Sequence, residues 1–231
     1  MKVYGRIITA AIFLILVFTS VTAAENDESG WFFVPNTLLK NAPDSPGIGV
    51  KFPHFWNFRG RIEYGSYYTR ANTREIPDPV LQLPYIYTAA EVYINGTLAG
   101  NSGAAGTSRP QTKPGWDLLI IELPKGADID IVIQVSGFHH YRGGISAAPV
   151  ITSEETARRS ENWKTAAGAF LSGCFFIIAL YHLGLYLYRK ADYAPLLFAF
   201  FCLLISTRAL LSGQFYFPAL FSSYNWFFFT R

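Results

Sequence analysis

Residues 166–187 form a run of 22 positions without a formal charge. At 1.5 Å per residue a helix of that length covers about 33 Å, enough to cross a hydrocarbon core of about 30 Å. No polar face interrupts the run, which argues against a helix half-buried on a water-soluble core. Trp163 and Lys164 stand before it and Tyr186, Tyr188, Arg189 and Lys190 close it, the placement of interfacial anchors. A second apolar block, 194–211, follows after six residues, too few to do anything but turn the chain back. Arg189 and Lys190 in that connection mark it as cytoplasmic by the positive-inside rule. Pro195 suits the first turn of the second helix and Gly213 its end. The pattern therefore predicts transmembrane helices at 165–188 and 194–213. Beyond them, 214–231 reads as an outer loop and, with Tyr224-Asn225-Trp226-Phe227-Phe228-Phe229, the start of a third span.

The amino terminus agrees with this topology. Lys2 and Arg6 precede a short apolar run at 7–18, and Val21-Thr22-Ala23-Ala24 supplies small residues for cleavage. That is the order of a secretory signal, residues 1–24, with an uncleaved anchor as the alternative. Between leader and spans, 25–162 carries 12 Lys+Arg and 15 Asp+Glu, or 12 − 15 = −3, although the whole chain is formally +3. A nucleic-acid partner would need a clustered basic face, which is lacking here. Cys174 and Cys202 both lie in the apolar blocks, so the exported part has no disulfide of its own. Its apolar core has to hold it, which a domain of about 140 residues can do.

In the exported domain, 25–153, short alternating runs are divided by Gly, Pro and Asn. Strands are expected at 61–68, 90–94, 118–123 and 129–135. Asn95-Gly96 reads as a type I′ hairpin turn, since both central positions of that turn need positive φ. Asn95-Gly96-Thr97 also spells a glycosylation acceptor, but the turn explains it without a sugar. The fold class is all-β, a jelly-roll or β-sandwich, followed by transmembrane α-helices. The linker 154–164 is polar and free of Gly and Pro, so it can run helically into the first span.

Candidate ligand-binding residues fall in two groups. Trp31, Trp56 and Trp116 are either sandwich core or stacking platforms for a sugar ring. His139, His140, Tyr141 and Arg142 form the densest polar-aromatic segment, placed by the flanking strand patterns in a loop at one end of the sandwich. Neighbouring histidines on an extended chain point apart and no Cys or carboxylate stands at ligand spacing, so no metal is expected. No cofactor is implied either. Gly100-Asn101-Ser102-Gly103 misses the nucleophile-elbow spacing, and phosphate-binding and dinucleotide fingerprints are missing. Glu63, Glu91 and Glu122 sit at strand positions that face solvent rather than as a facing catalytic pair. In the spans, Arg208 either snorkels to the outer interface or contacts the exported domain, another helix or lipid headgroups. His182 is a packing residue or, with Arg208, part of membrane coupling.

Tyr181-His182-Leu183-Gly184-Leu185-Tyr186-Leu187-Tyr188-Arg189-Lys190, Leu196-Leu197-Phe198-Ala199-Phe200-Phe201-Cys202-Leu203-Leu204 and Arg208-Ala209-Leu210-Leu211-Ser212-Gly213 together resemble the first two membrane helices of a receptor family. The family is the bacterial seven-transmembrane receptors with diverse intracellular signalling modules. Separately, Glu91-Val92-Tyr93-Ile94-Asn95-Gly96-Thr97-Leu98-Ala99-Gly100, Gly143-Gly144-Ile145 and Pro149-Val150-Ile151 resemble the sugar-binding, galactose-binding-like jelly roll of β-galactosidase-type glycoside hydrolases. The resemblances imply the N-terminal part of a sensory receptor in the inner membrane. Its periplasmic or extracellular domain would bind a small, carbohydrate-like molecule. Further partners would be lipid and either the remaining helices of a longer receptor or another copy. A membrane-tethered binding or adhesion module without signalling is the alternative. Neither reading makes this chain an enzyme; any catalytic output would lie beyond residue 231.

Overall fold

The computed structural model describes residues 30–56, 62–115, 117–140 and 142–212. The signal sequence, Trp116, Tyr141 and the expected third span lie outside the described residues. Among those described, the chain is a set of antiparallel β-sheets followed by two helices. The strands, in order, are β1 (Phe32–Pro35), β2 (Ile48–Gly49), β3 (His54–Trp56), β4 (Tyr64–Asn72), β5 (Pro79–Gln82), β6 (Ile86–Tyr87) and β7 (Ala89–Ile94). There follow β8 (Thr97–Ala104), β9 (Lys113–Pro114), β10 (Ile120–Glu122), β11 (Asp128–Ser136), β12 (Gly143–Ile145) and β13 (Val150–Ser153).

A seven-stranded sheet has the order β2-β1-β4-β11-β7-β8-β9, and two three-stranded sheets have the orders β10-β5-β13 and β3-β12-β6. One apolar cluster joins all three. Ile129, Ile131, Ile133 and Val135 of β11 meet Leu81 of β5, Ile121 of β10 and Ile145 of β12 in it, so the sheets face each other as a sandwich. The two-residue side-chain period puts every second residue of β11 into that core. Its other face is buried too: Val132 packs with Tyr68 and Tyr93 beneath Leu39 and Ala42.

That outer cover is pinned by side chains that the alternation would otherwise send to water. Leu39 N donates to Ser66 Oγ at 2.8 Å, Ser66 Oγ donates to the Thr37 carbonyl at 2.8 Å, and Gln134 Nε2 donates to the Leu39 carbonyl at 2.9 Å. A buried hydroxyl or amide is tolerated when it is paired in this way. The expected turn is present: Asn95 and Gly96 have φ of 48° and 79° between β7 and β8. Asn95 Oδ1 accepts from Asp130 N at 2.9 Å, fastening the turn to the start of β11.

The last strand passes into α1 (Glu154–Tyr188) with no residue between them. Ser153 caps the helix, its side chain accepting from Thr156 N, and Glu154 and Glu155 sit favourably in the first turn of the helix dipole. Glu154 N donates to the Asp78 carbonyl at 2.9 Å, which ties the helix start to the head of β5. Segment 154–164 is thus the opening of one 35-residue helix. Among the described residues, α1 is the helix long and apolar enough to cross a membrane, with a mean hydropathy of 1.8 in its apolar window; the apolar stretch of the next helix, Ala194–Leu210, is shorter.

That next helix, α2 (Ala194–Ser212), packs on α1 along small residues. Ala179, Ala199 and Cys202 are buried there. Ser172 and Ser206 bond reciprocally, each hydroxyl donating to the other's carbonyl, at 3.1 and 2.9 Å. Small side chains let backbones approach and paired hydroxyls hold them, the packing that suits helices without a hydrophobic driving force. The outward faces show Phe170 at 75%, Ile177 at 67% and Leu197 at 69% exposure.

Ile133 is fully buried at the centre of the core, so Ile133→Ala is expected to destabilise the sandwich by about 3 kcal/mol. Urea unfolding followed by tryptophan fluorescence would measure this, with the midpoint falling and the slope unchanged.

Candidate functional site

Strand β3 sends alternate residues to opposite sides of the small sheet β3-β12-β6. His54 and Trp56 point inward and Phe55 outward. Inside, Trp56 Nε1 donates to Tyr67 Oη at 2.7 Å, and Tyr67 Oη lies 2.8 Å from His54 Nδ1. Indole is a donor with no acceptor, so the phenol oxygen accepts from it while sharing a second hydrogen bond with His54 Nδ1. Burial holds the His54 pKa below the usual 6.5 and pushes the Tyr67 phenol well above its ordinary value, against the smaller opposing effect of the Trp56 bond. Phe33 stacks on Trp56 with centroids 5.8 Å apart and lies 4.7 Å from the Tyr67 ring.

Outside, the register places Phe55, Gly144 and Tyr87 side by side on three strands. Gly144 has a φ of 112°, and a Cβ there would strike the His54 carbonyl oxygen; one at Gly143 would come within 2.6 Å of the Trp56 ring. Glycine at both positions lets β12 lie close against the Trp56 indole and the His54 carbonyl. The Phe55 and Tyr87 centroids are 6.2 Å apart at 61°. Arg142 carries its guanidinium 5.5 Å from the Phe55 centroid. His140 stacks on Tyr87 at 4.9 Å and 21°, with its Nδ1 accepting from Arg142 N at 3.0 Å. Beside them, Tyr64 and Phe138 stack at 6.3 Å, and His139 Nε2 lies 3.1 Å from the Thr112 carbonyl. All of these side chains are half-buried. The arrangement offers apolar ring surface, a cation and imidazole nitrogens within one patch, the combination that holds a small polar ligand with an apolar face.

The structure thus brings His140 and Arg142 together and sets His139 next to them in the turn after β11. Trp31 and Trp56, by contrast, are 5% and 6% exposed and belong to the core cluster. Of the two readings open to them, the structure places them in the core. His182 Nδ1 bonds the Ile178 carbonyl at 3.0 Å and meets Phe198 of α2 edge-on at 4.6 Å, a position between the helices. Arg208 is exposed on α2, two residues beyond the Ser206 clasp. Phe55 and Tyr87 escaped the sequence reading because their pairing runs through Gly144, a long-range register that no local pattern announces. Elsewhere, a concavity of about 330 Å³ lies between β1 and the 39–48 segment, and proline and aliphatic side chains line most of it. Among the described residues no group of His, Cys, Asp and Glu is placed to hold a metal ion.

No protein-family model matches the chain, and no curated protein does. Among solved structures, one described as a putative β-galactosidase from Bacteroides fragilis is 22% identical, with 56% of this chain and 22% of that one covered and a TM-score of 0.38. A Bacteroides uniformis β-glucuronidase is 16% identical over 53% of this chain and 16% of that one, TM-score 0.39. A glycoside hydrolase family 2 β-galacturonidase from Eisenbergiella tayi, bound to galacturonate, is 13% identical over 56% and 24%, TM-score 0.38. The chain therefore spans about a fifth of the length of these structures, and the superposition is too loose to carry a ligand or an activity across. The expectation that the chain is not an enzyme does not stand beside these neighbours, which are described as glycoside hydrolases, and nothing of their activity is assigned to this chain.

Tyr67→Phe would strand the Trp56 N–H in the core, and a loss of about 2 kcal/mol in unfolding free energy is expected. The depressed His54 pKa predicts a pH effect of defined sign. Its contribution is fully present above the unfolded value of 6.5 and is lost as pH falls from there through the lower folded-state value. Stability measured from pH 7.5 to 5 should fall less steeply in His54→Gln than in the unaltered chain.

Proposed function

We propose that the chain is the N-terminal part of a membrane sensory receptor. In this reading residues 1–24 direct export and 25–153 form the exported sandwich, in the periplasm or outside the cell. The helices of 165–188 and 194–213 cross the inner membrane. The sandwich binds a small, carbohydrate-like ligand at the patch formed by Phe55, Tyr87, His139, His140 and Arg142. Support for the ligand class comes from the chemistry of that patch. Aromatic faces suit the apolar side of a pyranose, while guanidinium and imidazole nitrogens donate to its hydroxyls. The sequence resemblances described above support the same class.

The observation that carries the receptor reading is the passage from β13 to α1 without an intervening residue. A flexible tether would need a segment of Gly, Ser or Pro between domain and membrane. A capped helix that starts on the sandwich and continues for 35 residues into the apolar stretch is a stiff connection instead. Binding can bias such a helix by its differential affinity for two arrangements of the domain and the helix. Lipid and the other helices of a longer receptor are the partners this reading implies.

With the full chain in lipid nanodiscs on a glycan array, His140→Ala and Arg142→Ala should each weaken the strongest glycan signal about tenfold. Equal binding by both variants would remove the patch from the proposal. Three glycines inserted after Lys164 should leave glycan binding intact and abolish any glycan-dependent change in a fluorophore placed on α2. An undiminished change would exclude α1 as the route.

A further inference from the structure

Two turns into α1, Glu161 is 9% exposed. Its Oε1 accepts from Gln82 Nε2 of β5 at 2.6 Å and from Lys164 Nζ at 2.7 Å. Its Oε2 is buried with no hydrogen-bond partner. One turn earlier, Ala157 is fully buried against the sandwich, so this face of the helix is seated on it. The Tyr85 phenol is also involved: burial first, and then the Glu161 charge, pushes its pKa up to about 12. Tyr85 therefore stays protonated beside the carboxylate.

A carboxylate held in this way is an unusual choice for a purely structural contact. An aliphatic side chain would fill the same space without the cost of burying a charge with one oxygen unpaired. What the carboxylate adds is sensitivity, because its cost depends steeply on where its few donors lie. Of its two hydrogen-bond donors, Gln82 lies on the path to the surface patch and Lys164 on the helix itself. Gln82 ends β5, Tyr85 follows it, and β6 begins at the next residue. The Tyr85 carbonyl accepts from Ser146 Oγ at 2.9 Å, just past β12. Two residues beyond Tyr85 stands Tyr87, stacked on His140 and adjoining Phe55.

We propose that Glu161 is a positioning residue that couples the Phe55–Tyr87 patch to α1, a displacement of β6 reaching the helix along residues 82–85 as a change in the bond by which Gln82 holds this carboxylate. The inference rests on the receptor reading only for what would drive the displacement, and its test uses no ligand. The full chain in lipid nanodiscs is followed by hydrogen–deuterium exchange over residues 155–164. Tyr87→Ala, made in the surface patch, should speed exchange there about threefold. In a Glu161→Leu background the same substitution should change it by less than about 1.5-fold, because the route is already cut. Glu161→Gln keeps an acceptor for Gln82 and should restore most of the response. Should Glu161→Leu disturb the sandwich itself, seen as lost protection in β11, Gln82→Ala replaces it with the same expectation. The proposal is overturned if Tyr87→Ala leaves 155–164 unaltered in the parent chain, or alters it equally in the Glu161→Leu or Gln82→Ala background. Unchanged glycan binding in the patch variants would instead count against the ligand reading and leave this coupling standing.

Discussion

The two-sided burial of β11 is the constraint on which the sandwich depends. Four residues of one face, Ile129, Ile131, Ile133 and Val135, reach the core between the sheets, while Val132 and Gln134 on the other are sealed by the 36–47 segment. Because the strand pairs with β4 over nine residues and with β7 over six, its position fixes the register of most of the large sheet. A slip by one residue would send the isoleucines to the wrong side. The turn at Asn95-Gly96 and the cover over Tyr68 are both bonded to β11 or its neighbour, so they reinforce the same register.

Much of this was legible in the residues. The alternation of 129–135 and the Asn95-Gly96 dipeptide carry local signals of strand and turn, and both elements stand close to where they were expected. Other limits moved. The expected strand at 61–68 shifts to Tyr64–Asn72, since pairing with β11 extends it through a polar stretch that local propensity would end. The strand at 118–123 shrinks to Ile120–Glu122, where β5 provides the pairing. Ser66 and Gln134 stand on the strand faces opposite the core and owe their burial to the 36–47 segment that covers them. A polar residue's partner 27 or 95 positions away leaves no trace in its neighbourhood.

The candidate site shows the same division. His139, His140 and Arg142 stand out as a concentration of chemistry in the sequence, whereas their aromatic companions Phe55 and Tyr87 are ordinary strand residues until β12 brings them together. The glycines at 143 and 144 connect the two layers of the site. They let the indole of Trp56 pack from inside, so the tryptophan shapes the patch without being part of it. Tyr67 then links that indole to His54, so the polar order of the interior and the shape of the exterior share one set of side chains.

The large sheet ends at both margins in strands of two residues, β2 and β9. Long unpaired margins present rows of free amides and carbonyls that recruit foreign strands. Here each row stops almost as soon as it begins, and a proline stands in β9. For a domain that would be crowded beside its own copies on a surface, such abbreviated borders deny neighbouring molecules a template. The sandwich can then remain an individual unit at high local density.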